Sequence, residues 1–276
     1  DTVLIAPVEV AAGDTDPGSY SENLVIGVSQ AYLSLIGVPR GRTQGGLPQL
    51  KVGATTTSPL LTIRAPGCTI RNLGFNGTGG TGGGIVFDET TATGQAWGTS
   101  IENCHFKNCV GTTATNAATG GAINWQTVGG AWQILIKGCR FYKNVGDIVM
   151  KGTTSSLPQD VVIEDCVFSG PAASVDCNIY VAASGIDGIV VKNCSFAQLP
   201  AIVSGTNAKY IVMATGTVGV IERCTFACQT SATGAGQKTF KSAGTGGDFP
   251  VTVHIMQCFG QSITDTETGE ITIGAS

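Results

Sequence analysis

Ile101-Glu-Asn-Cys-His-Phe106, Ile136-Lys-Gly-Cys-Arg-Phe141, Ile163-Glu-Asp-Cys-Val-Phe168, Val191-Lys-Asn-Cys-Ser-Phe196 and Ile221-Glu-Arg-Cys-Thr-Phe226 are copies of one phrase. An earlier copy, Ile70-Arg-Asn-Leu-Gly-Phe75, carries Leu73 in the Cys slot, and Ile255-Met-Gln-Cys-Phe-Gly260 closes the series. From Leu73 onward the slot recurs after 31, 35, 27, 28, 30 and 34 residues. Helical hairpin repeats keep a nearly fixed length because both helices must re-pack, whereas a β-coil needs only its strands in register and lets its loops vary. The irregular spacing therefore points to β-coils.

The residue before the slot is Asn72, Asn103, Gly138, Asp165 or Asn193, types that tolerate positive φ, so a sharp corner is predicted there; Arg223 and Gln257 depart from the pattern. Beyond the corner, Cys and Phe lie two apart and share a face, which with the preceding Ile points inward. A third strand follows in Gly84-Ile-Val-Phe87, Ala122-Ile-Asn-Trp125, Asp147-Ile-Val-Met150, Asn178-Ile-Tyr-Val181 and Tyr210-Ile-Val-Met213. Three strands per coil predict an all-β, right-handed parallel β-helix of triangular section. Between Ile and the corner the outward residues run Arg71, Glu102, Lys137, Glu164, Lys192, Glu222. The sign alternates at every step, as register between stacked strands requires, so these carboxylates are expected to be structural.

A single domain over 1–276 is expected: N-terminal coils over 1–66, regular Cys/Phe-stacked coils over 67–260, and a C-terminal strand or tail over 261–276. The chain starts inside a strand-like run, Asp1-Thr-Val-Leu-Ile-Ala-Pro7, so a capping segment upstream is expected. With 40 Gly and only 12% charged residues, ordinary helical surface chemistry is missing. The net charge of −4, with 15 scattered Lys and Arg, argues against nucleic acid as a partner. No apolar run reaches the roughly 18 residues of a membrane span, so no membrane partner is expected and the chain reads as soluble.

Six of the ten cysteines, Cys104, Cys139, Cys166, Cys194, Cys224 and Cys258, occupy the repeat slot. Stacked neighbours hold their Cβ atoms about 4.8 Å apart, beyond the roughly 3.8 Å of a relaxed disulfide, and an internal column offers no tetrahedral site. They read as buried thiols beside a Phe column. Cys68, Cys109, Cys177 and Cys228 lie off that column, and their pairing is open.

The opening, with Gly18-Ser-Tyr-Ser-Glu-Asn-Leu-Val-Ile26 and Tyr32-Leu-Ser-Leu-Ile-Gly37 after the first strand, resembles the pectate-lyase-like superfamily, including pectin esterases and bacteriophage virion β-helix proteins. Such motifs specify a fold far better than an activity. The resemblance implies that an active member projects its catalytic groups from the third strand and its flanking loops. Here the outward positions of that strand are Val86, Asn124, Val149, Tyr180 and Val212, and no carboxylate cluster is among them. Asp147, in Val145-Gly-Asp-Ile-Val-Met150, loosely matches the pectin esterase Asp-Phe-Ile-Phe-Gly motif, but the Gln-Asp pair expected one coil earlier is absent.

Asp88-Glu89, Asp14/Asp16 and Asp265/Glu267/Glu270 read as solvated turns and loops without calcium-ligand spacing. His105 and His254 lie on different coils, and His105 is expected to point outward. Accordingly no catalytic, cofactor-binding or metal residue is assigned, and no cofactor is expected.

The apolar outward row is expected to be a packing surface, most plausibly for a homotrimer. The main reading is a non-enzymatic structural or adhesive virion protein, found in a virion or extracellularly with other virion proteins as partners. It binds surface polysaccharide through Trp97, Trp125, Trp132 or Tyr180, of which only Trp97 and Trp132 read as loop-borne. The alternative is a secreted polysaccharide lyase, hydrolase or esterase.

Overall fold

The computed structural model describes residues 1–8, 19–39, 46–88, 95–112, 120–125, 131–151, 158–169, 177–182, 185–197, 209–227, 238–242, 250 and 252–260. Its strands form three parallel sheets. The first, of nine strands, comprises Thr2–Ile5, Ser34–Gly37, Thr69–Arg71, Ser100–Glu102, Leu135–Lys137, Gln159–Glu164, Asp187–Lys192, Val218–Glu222 and Val253–Met256. The second, also of nine, comprises Ser19–Ser21, Gln49–Lys51, Gly74–Asn76, His105–Lys107, Arg140–Tyr142, Val167–Ser169, Ser195–Ala197, Thr225–Ala227 and Phe259–Gly260. The third, of eight, comprises Leu24–Ile26, Leu61–Ile63, Ile85–Phe87, Ile123–Trp125, Ile148–Met150, Ile179–Val181, Lys209–Met213 and Lys238–Ser242.

Each strand pairs with its equivalents one coil before and after. This is the parallel β-helix that the phrase predicts, and parallel crossovers of this kind are right-handed. The sheets run unbroken from Thr2 to Gly260, so the N-terminal coils are continuous with the later ones. Residues 261–276 lie outside the described residues.

The corner has one backbone solution for every copy. Asn72, Asn103, Gly138, Asp165, Asn193, Arg223 and Gln257 all have φ between 50° and 64°. Arg223 and Gln257 adopt it despite their type, because the flanking strands are held by the coils they pair with. Gly138 is constrained twice, since a Cβ there would sit 2.6 Å from the Asn103 Oδ1 of the coil before.

The interior is built of columns. Phe75, Phe106, Phe141, Phe168, Phe196 and Phe226 stack face to face, with ring centroids 4.5 to 5.1 Å apart. Beside them the slot cysteines are buried free thiols. Each lies near two carbonyls, as Cys166 Sγ lies 3.3 Å from Glu164 O and 3.7 Å from Ile136 O. Cys68, Cys109 and Cys177 are also buried and in no disulfide, and Cys228 lies outside the described residues.

The charge ladder stacks in the expected register. Arg71 meets Glu102 at 2.5 Å, and Glu164 is gripped by Lys137 at 2.6 Å and Lys192 at 2.7 Å, which lowers its pKa through those two hydrogen bonds. Glu222 turns instead to Arg223 beside it, at 2.8 Å.

Phe168→Ala should destabilise the chain by about 3–5 kcal/mol in urea unfolding. Gly138→Ala should cost about 1–2 kcal/mol through its positive φ, whereas Asn103→Gly, at a corner already suited to glycine, should be neutral or mildly stabilising in the same assay.

Candidate functional site

The outward row of the third sheet is placed as the alternation requires, with Val86, Asn124, Val149, Tyr180 and Val212 in register across the coils. It is not the exposed stripe that was expected. Val86, Asn124, Val149 and Val212 are buried within a single chain, and half-buried Tyr180 packs with Val212 and Cys177. The surface invoked for a trimer is therefore already covered.

Asp147 sits at the corner entering this sheet and is only 3% exposed. The Nδ2 groups of Asn144 and Asn178 donate to its two carboxyl oxygens at 2.9 and 2.7 Å. Asn144 also accepts the Cys109 amide N–H through Oδ1, which fixes its orientation. Burial pushes the Asp147 carboxyl up to about 7, against the lowering effect of the two amides. The Asn178 Oδ1 is buried without a hydrogen-bond partner. Cys109 is no nucleophile at neutral pH, since burial holds its thiol near 12.

Asp88 corrects another expectation. It is buried, not solvated, and accepts the Arg64 Nε–H at 2.8 Å. Glu89, Asp14, Asp16, Asp265, Glu267 and Glu270 lie outside the described residues. Among the described residues, no three His, Cys, Asp or Glu side chains come together as a metal site.

The turn entering the first sheet carries an aromatic edge. Gly67 N–H donates to Trp97 O and Gly98 N–H to Trp132 O, which places Pro66, Trp97 and Trp132 at one position on consecutive coils. Tyr32, one coil earlier and at φ 62°, lays its ring against Gly67, where an added Cβ would fall 2.3 Å from the ring. Tyr32 is 65% exposed, Trp132 46% exposed and Trp97 half-buried. Trp125 belongs to the core, and its Nε1–H donates to Ala131 O at 2.9 Å.

At the other end of the first-sheet strands, a cleft of about 510 Å³ opens over the corner into the second sheet. Arg71, Asn72, Asn103, His105, Gly138 and Arg140 line it from three coils, together with Pro39 and Leu47. His105 points outward as expected, because its neighbour Phe106 fills the core, yet it is only 8% exposed. Sequence reasoning missed this site because its residues belong to different copies of the phrase, and Pro39 and Leu47 come from outside the phrase altogether. The signal available was His105 and Arg140 at one outward position just after the corner on consecutive coils, with Arg71 just before the corner one coil earlier.

No family model matches the chain, and no curated protein does. Among solved structures, a pectin methylesterase from Aspergillus niger in deglycosylated form superposes with a TM-score of 0.49 at 12% identity, covering 100% of this chain and 81% of that one.

Asp147 has a checkable pH signature. A carboxyl with a raised folded-state pKa contributes most below its unfolded value, near 3.8, and that contribution is lost as pH rises towards about 7. Stability should therefore fall across that window, and Asp147→Asn should flatten this part of the profile, as read by thermal unfolding from acid to neutral pH. An unchanged slope in the variant would remove Asp147 as the titrating group.

Proposed function

We propose that this chain is a non-enzymatic, polysaccharide-binding β-helix, serving as the adhesive side of an extracellular particle such as a virion. What supports this reading is the aromatic edge of Tyr32, Trp97 and Trp132. A flat ring offers its face to the C–H groups of a pyranose while its polar tip stays wet, and rings spread along one edge, with Pro66 on the coil between Tyr32 and Trp97, suit an extended ligand rather than a compact one. The β-helix is a fitting support because its rigid, hydrogen-bonded coils hold the rings in place without a cost of ordering on binding. Self-association is not part of the proposal, since the row that suggested it is covered within one chain.

A second reading, an esterase, hydrolase or lyase acting on polysaccharide, is favoured by one observation. Asp147 is a carboxyl whose pKa of about 7 suits proton transfer at neutral pH. Against it, both oxygens are taken by asparagine amides and the group is buried.

Affinity electrophoresis against a panel of neutral and acidic polysaccharides separates the two. Retardation by at least one of them is expected, with Trp132→Ala weakening it about tenfold and Trp125→Phe leaving it unchanged. Failure to bind any polysaccharide, or binding indifferent to Trp132→Ala, would sink the adhesive reading. Robust turnover that disappears in Asp147→Asn would replace it with the enzymatic one.

A further inference from the structure

The cleft over the first corner has polar atoms that the fold itself leaves unused. His105 Nδ1 and Arg71 Nε are both buried and have no hydrogen-bond partner. A buried donor or acceptor without a partner costs roughly 1–3 kcal/mol, and here two of them belong to side chains that line one cleft, which marks it as a place for something else to occupy. Charge indicates what that is. Arg71 spends Nη2 on Glu102, while its Nε has no hydrogen-bond partner. Arg140 is exposed, lines the same cleft, and is in no ion pair with a described carboxylate. Among the described residues, Arg71, Arg140 and Glu102 with a neutral His105 give the surroundings one net positive charge, and Asn72 and Asn103 line the cleft with side chains capable of donating amide N–H groups.

We infer that the cleft lined by Arg71, His105 and Arg140 is a binding site for an oxyanion, the carboxylate of an acidic sugar or a sulfate or phosphate group. The guanidinium of Arg140 makes the charge-assisted hydrogen bonds, Arg71 Nε–H adds a third donor, and the imidazole of His105 completes the shell. His105 gives the site a proton linkage. Its pKa lies near 4, lowered first by burial and then by the Arg140 charge. Among the described residues, the groups around it are Arg140 on the following coil, Arg71 with its partner Glu102 on the first sheet, uncharged Gly74 on the preceding coil, and Pro39 and Leu47. A bound anion neutralises Arg140 and favours imidazolium, so binding takes up a proton and the affinity rises as pH falls. This site is separate from the aromatic edge and stands whether or not that edge binds a polysaccharide.

The experiment is an imidazole NMR titration of the full chain, which has only two histidines, His105 and His254. Sodium sulfate, sodium phosphate, sodium glucuronate and glucose are added in parallel at constant ionic strength set with sodium chloride. At least one of the three anions should shift His105 saturably and raise its pKa by about one unit or more, leaving exposed His254 unmoved. Arg140→Gln, a change at an exposed side chain that leaves the fold intact, should weaken the binding about tenfold or more. Response to glucuronate alone identifies a sugar carboxylate, and response to sulfate or phosphate identifies an ester-type anion. Shifts that merely follow sodium chloride, that glucose reproduces, or that persist undiminished in Arg140→Gln would overturn the assignment. Trp132→Ala should leave the anion titration unchanged, which keeps this result distinct from any failure of the aromatic edge.

Discussion

The constraint on which this molecule rests is the parallel hydrogen-bond ladder that runs from coil to coil. It places chemically equivalent positions about 4.8 Å apart along one axis, so every residue is selected against its own counterparts above and below. A flat ring stacks on a flat ring in the Phe column, and a small thiol fits above another beside it. A cation outside must sit above an anion, because two like charges at that spacing repel. The corner follows the same logic. The first and second sheets turn at one place in each coil, and a residue there takes left-handed backbone angles whatever its side chain prefers.

That periodicity is why so much of the fold was legible in the sequence. The inward Ile, Cys and Phe positions, the alternating charges and the third-strand Ile positions are repeated signals, and each repetition checks the others. Arg223 and Gln257 show the limit of reading residue by residue: their types gave no hint of the corner, yet the register of the flanking strands imposes it. The outward identities of Val86, Asn124, Val149, Tyr180 and Val212 were legible for the same reason. Their burial was not, because it depends on what lies over the sheet rather than on alternation within it.

The candidate sites were less legible, since function here is assembled across coils and by loops. Asp147 stood out as a lone acid, but its raised pKa comes from burial, and the amides that hold it belong to Asn144 and to Asn178 on the next coil. Asp88 read as a turn residue because Arg64, its partner, lies on the coil before. His105 looked isolated, although the strand register places Arg140 directly beside it on the following coil. A one-dimensional search finds ligands by their spacing along the chain. On a solenoid the relevant spacing is a whole coil, which varies with loop length.

The reduced thiols in the core also make the rod its own probe of fraying. Nine described cysteines are buried and unbridged, and the slot members are distributed from Cys104 to Cys258 along the axis. A thiol reagent that cannot enter the intact interior labels a given cysteine only when its coil has parted from its neighbours. The order in which Cys258, Cys224, Cys194 and Cys166 become labelled then records how far an unzipping front has advanced from the C-terminal side, giving a solenoid a built-in ruler for its own loss of cooperativity.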